Sequence, residues 1–139
     1  MMFVLDTNVI SELRKVGDGK ADARVTAWLA DADAASFYIS VLTLMELEIG
    51  ILRLERRDVR QGHVLRTWMD TRVLPEFKER TLPVDPAVAL TCAQLHVPDL
   101  RAERDALIAA TAIVHRMAVV TGNVADFEEA PVEVINPWR

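Results

Sequence analysis

The most constraining feature lies near the amino terminus, in Phe3-Val4-Leu5-Asp6-Thr7-Asn8-Val9-Ile10. An apolar run leads directly into a carboxylate, two small polar residues follow, and apolar character then returns. A buried strand that delivers an acid at its carboxyl end has this form, and in open α/β sheets ligands gather outside those ends. The question for the rest of the chain is which other acids reach the same rim as Asp6.

Residues Asn8 to about Lys15 read as a short helix, with Thr7 or Asn8 as its cap and Gly17-Asp18-Gly19 as its break. Ala21 to Ala32 is Ala-rich, with Val25, Trp28 and Leu29 at helical spacing. Phe37-Tyr38-Ile39 suggests a short strand. Ser40 caps a helix from Val41 to about Arg57, in which Leu42, Met45, Ile49 and Leu52 recur at helical spacing and the end is basic. Asp58 opens a helix to about Lys78 that Pro75 shortens or kinks. Arg80 to Val84 is extended, and Asp85-Pro86 opens a helix through about His96. After Val97-Pro98-Asp99 a helix runs from about Ala102 to Arg116. Ala118-Val119-Val120-Thr121 is a buried-type strand closed by Gly122-Asn123, and Val132 to Ile135 is a last strand. Strands alternating with helices predict an α/β fold of three layers, a mainly parallel central sheet flanked by helices.

The 139 residues suit one domain spanning 1–139, and neither a linker nor a repeat divides them. No apolar run reaches the roughly 18–20 residues that span a bilayer, and Met1 to Asp6 lacks the basic start of a secretory signal. The single cysteine, Cys92, rules out an internal disulfide, and a cytoplasmic location is expected. A net charge of −5 argues against a surface that coats nucleic acid broadly. It is compatible with an enzyme whose acids hold cations, because a bound cation reverses the local sign.

Asn123 and Asp126 follow the strand at 118–121 and belong to the same rim as Asp6; Asp105 stands at the start of an otherwise apolar helix. Glu46 lies inside a helix among Leu42, Ile49 and Gly50, and Glu48 lies among Leu44, Ile51 and Leu52, so pattern alone leaves the choice between them open. Gly50 costs about 1 kcal/mol against Ala in a helix, which suggests a close approach there. Each acid has a structural role available: Asp6 as a helix cap, Asp105 as a first-turn acid, Asn123 and Asp126 as turn formers, Asp85 as a cap before Pro86. Yet buried ionised acids are costly unless paired or metal-bound. Several of them on one rim suit Mg²⁺, with Mn²⁺ an alternative, and hydrolysis of a phosphodiester.

Five segments carry a resemblance: Leu5-Asp6-Thr7-Asn8-Val9, Ser40 to Leu47, Asp105 to Ala112, Thr121 to Phe127, and Asn136-Pro137-Trp138. In order and approximate spacing they resemble the PIN-domain family, in particular VapC toxins of the FitB-like branch, over essentially the whole chain. The resemblance implies a Mg²⁺-dependent endoribonuclease toxin, usually dimeric, paired with a small antitoxin and meeting DNA only through that complex. It matches Asp6 and Asp105 to the metal-binding acids, Glu46 rather than Glu48 to the helix acid, and Asp126 to the acid of the turn. Thr7, Asn8, Thr121 and Asn123 match supporting positions. Two departures stand out: Asn123 supplies no charge, and the approach Pro98 to Arg104 lacks the glycine common in relatives.

His63, His96 and His115 are far apart and show no metal-ligand spacing. Cys92 sits in an Ala/Leu-rich helix and reads as core, and Trp28, Trp68 and Trp138 read as packing residues. Arg53, Arg56, Arg57 and Arg60 form a solvated helix end, with a surface for RNA or an acidic partner as the alternative. Two rival functions remain. A haloacid-dehalogenase-like phosphatase also opens on a strand and an Asp, but carries a second Asp where Asn8 stands. A non-catalytic module would keep the fold and bind no Mg²⁺.

Overall fold

A computed structural model describes residues 1–139. The strands β1 (Phe3–Leu5), β2 (Phe37–Ser40), β3 (Thr81–Leu82), β4 (Ala118–Val120) and β5 (Val134–Ile135) form one sheet in the order β3-β2-β1-β4-β5, parallel throughout. The central strand β1 pairs Phe3 with Phe37 on one side and Leu5 with Val120 on the other. From β1 the chain builds outward to β2 and β3, then returns to lay down β4 and β5 on the opposite side. That reversal puts a topological switch point between β1 and β4, and in open α/β sheets ligands bind at such a point, outside the carboxyl ends of the strands.

Alternation along the strands fills two separate cores. Val4 and Val119 face a cluster containing Val88, Cys92, Ile108, Ala109, Ala110 and Phe127. Leu5, Ile39 and Val120 face the opposite cluster, with Val9, Ile10, Val25, Met69, Val73 and Phe77. Both faces are buried, so the strands read as continuous apolar runs, as parallel sheets require. Trp28 stacks against Phe37 with ring centroids 5.9 Å apart and meets Phe3 edge-on at 5.2 Å, a packing role.

The helices are α1 (Thr7–Gly17), α2 (Ala23–Asp31), α3 (Val41–Arg57), α4 (Val59–Trp68), α5 (Leu74–Glu76), α6 (Pro86–Leu95) and α7 (Glu103–His115). No helix is long and apolar enough to cross a membrane. Ser40, Asp58 and Asp85 cap α3, α4 and α6 with side-chain oxygens. At α1 the cap is Asp6 rather than Thr7 or Asn8: its Oδ1 accepts from the Thr7 N–H at 2.8 Å.

Three further expectations are corrected, and the helix over 58–78 is shortened and interrupted as Pro75 suggests. The interruption is a π turn at Met69–Val73, where the Leu74 N–H reaches back to the Met69 carbonyl. Pro75 brings no N–H to the next turn, and the widened turn accommodates that gap. The last strand is two residues rather than four. The inward face of α3 carries Leu42, Leu47 and Ile51, whereas Met45 and Leu52 are exposed. Gly50 is exposed too, and a Cβ there would meet open space. The close approach instead falls at Gly62, where a Cβ would lie 2.6 Å from Glu55 Cγ and 2.7 Å from Glu55 Cα as α4 crosses α3.

Candidate active site

The rim at the β1–β4 switch point is built from four segments. Asp6 leaves β1 and starts α1, Thr121 to Asn123 leave β4, Glu46 lies in the second turn of α3, and Asp105 lies in the first turn of α7. A short 3-10 turn, Val124–Phe127, brings Asp126 back over the rim, anchored by the fully buried Phe127. Asp105 is set close to the sheet because α7 presents small residues inward: Ala106, Ala109, Ala110 and Ala112 are all buried.

Asp6 is 5% exposed, and both its oxygens are engaged. Oδ1 caps α1, and Oδ2 accepts from the Thr121 hydroxyl at 2.8 Å. That hydroxyl in turn accepts from Asn8 Nδ2 at 3.3 Å and from the Asn123 N–H at 3.0 Å, using its one donor and both lone pairs. Asn8 Oδ1 accepts from the Gly122 N–H at 3.3 Å. The polar residues around Asp6 thus tie the ends of β1 and β4 together and fix the rotation of its carboxylate.

Glu46 and Glu48, left open by pattern, separate cleanly. Glu46 Oε1 accepts from the Thr7 hydroxyl at 2.7 Å, within reach of the buried Thr43 hydroxyl, which lies 3.1 Å from Thr7 Oγ1. Glu48 points to α4, where Arg66 grips it through Nη1 at 2.6 Å and Nη2 at 2.8 Å and also bonds Glu55. The Arg66 hydrogen bonds hold the Glu48 carboxyl below its ordinary range.

The acids feel one another. Burial pushes the Asp105 carboxyl up to about 6, with Asp126, Asp6 and Glu46 adding repulsion in that order. Burial also raises Asp6, against the lowering effect of the Thr121 and Thr7 hydrogen bonds, and Glu46 and Asp126 raise it further. One cation reaches the group: Arg104 Nη1 stands 3.7 Å from Glu46 Oε2. It lies far from Asp6 and Glu46 in sequence. Its signal is adjacency to Asp105, which carries it to the same rim. Asn123 and Asp126 are both exposed. Asn123 offers its backbone N–H to Thr121 and adds no charge.

No three acids converge into a ready-made metal cage. The donor set still fits a hard cation of the Mg²⁺ kind, which takes one or two carboxylates and completes its shell with water. Two raised carboxyls without a cation of their own are the observation that such an ion would relieve. A surface groove lined by Ile10, Leu13, Val64, Trp68, Arg72 and Phe77 contains none of these acids.

A PIN-domain family model matches residues 3–132. The chain belongs to the PIN-domain family. This PIN domain is 36% identical over 144 residues to Toxin FitB of Neisseria gonorrhoeae, with 99% of each chain covered. It is 34% identical over 146 residues to VapC ribonuclease Y4jK of Sinorhizobium fredii, again over 99% of both. The structure of FitAB bound to an IR36 DNA fragment superposes on it with a TM-score of 0.86 at 37% identity, covering 99% of this chain and 96% of that one. The parallel five-stranded sheet and its flanking helices are therefore the PIN fold.

Proposed function

We propose that this PIN domain is a Mg²⁺-dependent endoribonuclease and the toxin of a toxin–antitoxin pair. The observation that carries the reading is the meeting of Asp6 and Asp105 at one switch point, both with raised carboxyls, beside Glu46 and Asp126. Relatives named as a toxin and as a ribonuclease support it. In this reading Asp6 and Asp105 hold Mg²⁺, or Mn²⁺ in its place. The chemistry such a cation supplies is charge neutralisation at the phosphodiester and activation of water.

The chain's own residues prepare the site. Thr121 and the Thr7 N–H fix the Asp6 carboxylate, each spending one lone pair on an oxygen and leaving the others for a ligand. Thr7 orients Glu46 through its hydroxyl, so that Glu46 and Asp126 complete the acidic rim and orient the attacking water. Asp105, at about 6, holds a proton on part of the population near neutrality and releases it as charge enters the site. Asn8, where a phosphatase of the rival type needs a second acid, spends its amide bridging Thr121 and Gly122.

The same reading assigns the partners. A small antitoxin inhibits by placing a basic side chain against Glu46 or Asp126, two copies of the toxin associate, and operator DNA is met through the complex, as the DNA-bound FitAB neighbour suggests. Purified protein is expected to cut a pool of single-stranded RNA in Mg²⁺, to stop in excess EDTA, and to resume in Mn²⁺. Sequencing of the new 5′ ends then identifies the target. Cleavage that persists in EDTA, or none in either metal, contradicts the reading.

A further inference from the structure

The arginines of this protein differ in how firmly they are held. Arg66 is locked by charged hydrogen bonds of 2.6–3.3 Å to Glu48 and Glu55. Arg80 is locked by the carbonyls of Ala34, Phe37 and Glu76 and by the Glu76 carboxylate. Arg101 bonds the Leu95 carbonyl at 2.7 Å. These hold helices and loops in place. Arg104 is held loosely, as Arg14 and Arg24 are, but its partner is an acid of the rim: its side chain is 50% exposed, and its ion pair is one contact of 3.7 Å to Glu46 Oε2, too long for a hydrogen bond. Exposed pairs of this kind contribute little, so the guanidinium exchanges partners readily.

Its position gives that freedom a use. Arg104 immediately precedes Asp105 on the first turn of α7, and it is the cation in ion-pair reach of an acidic rim. A rim made only of carboxylates repels a phosphate backbone, so a positive side chain at its edge favours binding of the strand. A planar guanidinium at the edge matches a phosphodiester's two free oxygens with two parallel donors.

Building on the nuclease reading, we propose that Arg104 is a substrate-positioning residue: its guanidinium leaves Glu46 Oε2 and grips an RNA backbone phosphate beside the scissile one. In the free protein the pair keeps the guanidinium parked over the rim. On binding, the exchange delivers the chain to the acids and frees Glu46 Oε2 toward the reacting centre, while Glu46 Oε1 stays held by Thr7.

The test uses a fluorescein-labelled, mixed-sequence single-stranded RNA with wild type, Arg104→Gln and Arg104→Lys. Steady-state cleavage in Mg²⁺ is expected to show KM raised about tenfold in Arg104→Gln with kcat changed less than about threefold, and Arg104→Lys intermediate because it keeps the charge but not the fork. Anisotropy in EDTA, as a function of salt, is expected to show the binding slope reduced by about 0.7, one phosphate contact on a single strand. Unaltered melting temperatures show that folding is not the cause. Unchanged KM and unchanged salt slope, or a loss confined to kcat, overturn the proposal. Wild type that cuts no RNA overturns the nuclease reading instead, and the salt slope in EDTA then decides on Arg104 alone.

Discussion

Asp6→Asn and Asp105→Asn are each expected to lower RNA cleavage by about a thousandfold, the scale of losing a group that stabilises the transition state. Their effects on stability differ. Asn at position 6 still caps a helix, but the amide nitrogen that replaces one carboxylate oxygen cannot accept, so either Thr7 or Thr121 loses its acceptor and relief of repulsion is offset by a lost hydrogen bond. Asp105→Asn has no such loss, as its carboxylate is opposed chiefly by burial and by the neighbouring acids. An unfolded Asp titrates near 3.9, and Asp105 in the fold titrates at about 6. Below about pH 4 the group is protonated in both states and costs nothing. As pH rises through about 6 the folded form must ionise against its surroundings, and stability is lost. Melting of metal-free protein should therefore show Asp105→Asn equal to wild type near pH 4 and more stable at pH 7. The expected gain is about 1 kcal/mol after discounting for the half-exposed position, or about 3 °C. An active Asp105→Asn, or one that melts lower at pH 7, contradicts this assignment.

Exchanging the two neighbouring acids of α3 should give opposite phenotypes. Glu46→Gln is expected to reduce cleavage by about tenfold to a hundredfold with little change in melting temperature, because the Gln carbonyl still accepts from Thr7. Glu48→Gln should leave cleavage intact and lower the melting temperature by about 2 °C, because Arg66 loses its bidentate partner between α3 and α4. Kinetics and melting of the two purified variants suffice. Activity lost at Glu48 and retained at Glu46 would reverse their roles.

Much of the fold is legible in the chain because local chemistry and tertiary demand agree. The apolar runs at Phe3–Leu5 and Ala118–Val120 are strands buried on both faces, and Ser40, Asp58 and Asp85 cap the helices they precede. What pattern misses depends on how elements cross. Gly50 and Gly62 look alike as helix-interior glycines, and only the crossing of α3 and α4 makes the second indispensable. Met45 and Leu52 keep helical spacing yet face outward, since periodicity defines a face but not what covers it. At the site, Asp6 was legible from its strand and Asp105 and Asp126 from their places after an interruption and a turn. Glu46 was separable from Glu48 in sequence only through family resemblance, whereas in space Thr7 and Arg66 divide them. Arg104 escaped because its partner lies 58 positions away in sequence, on another helix.

The central claim is that these acids form a site for a divalent cation, and calorimetric titration of Mn²⁺ into RNA-free, antitoxin-free protein tests it most directly. At pH 6, in two buffers of different ionisation heat, wild type should bind Mn²⁺ and release protons, because Asp105 is partly protonated there before the ion arrives. Asp105→Asn should bind far more weakly, with the proton release gone. Binding of equal strength by the two proteins, or no binding by wild type, would contradict the account.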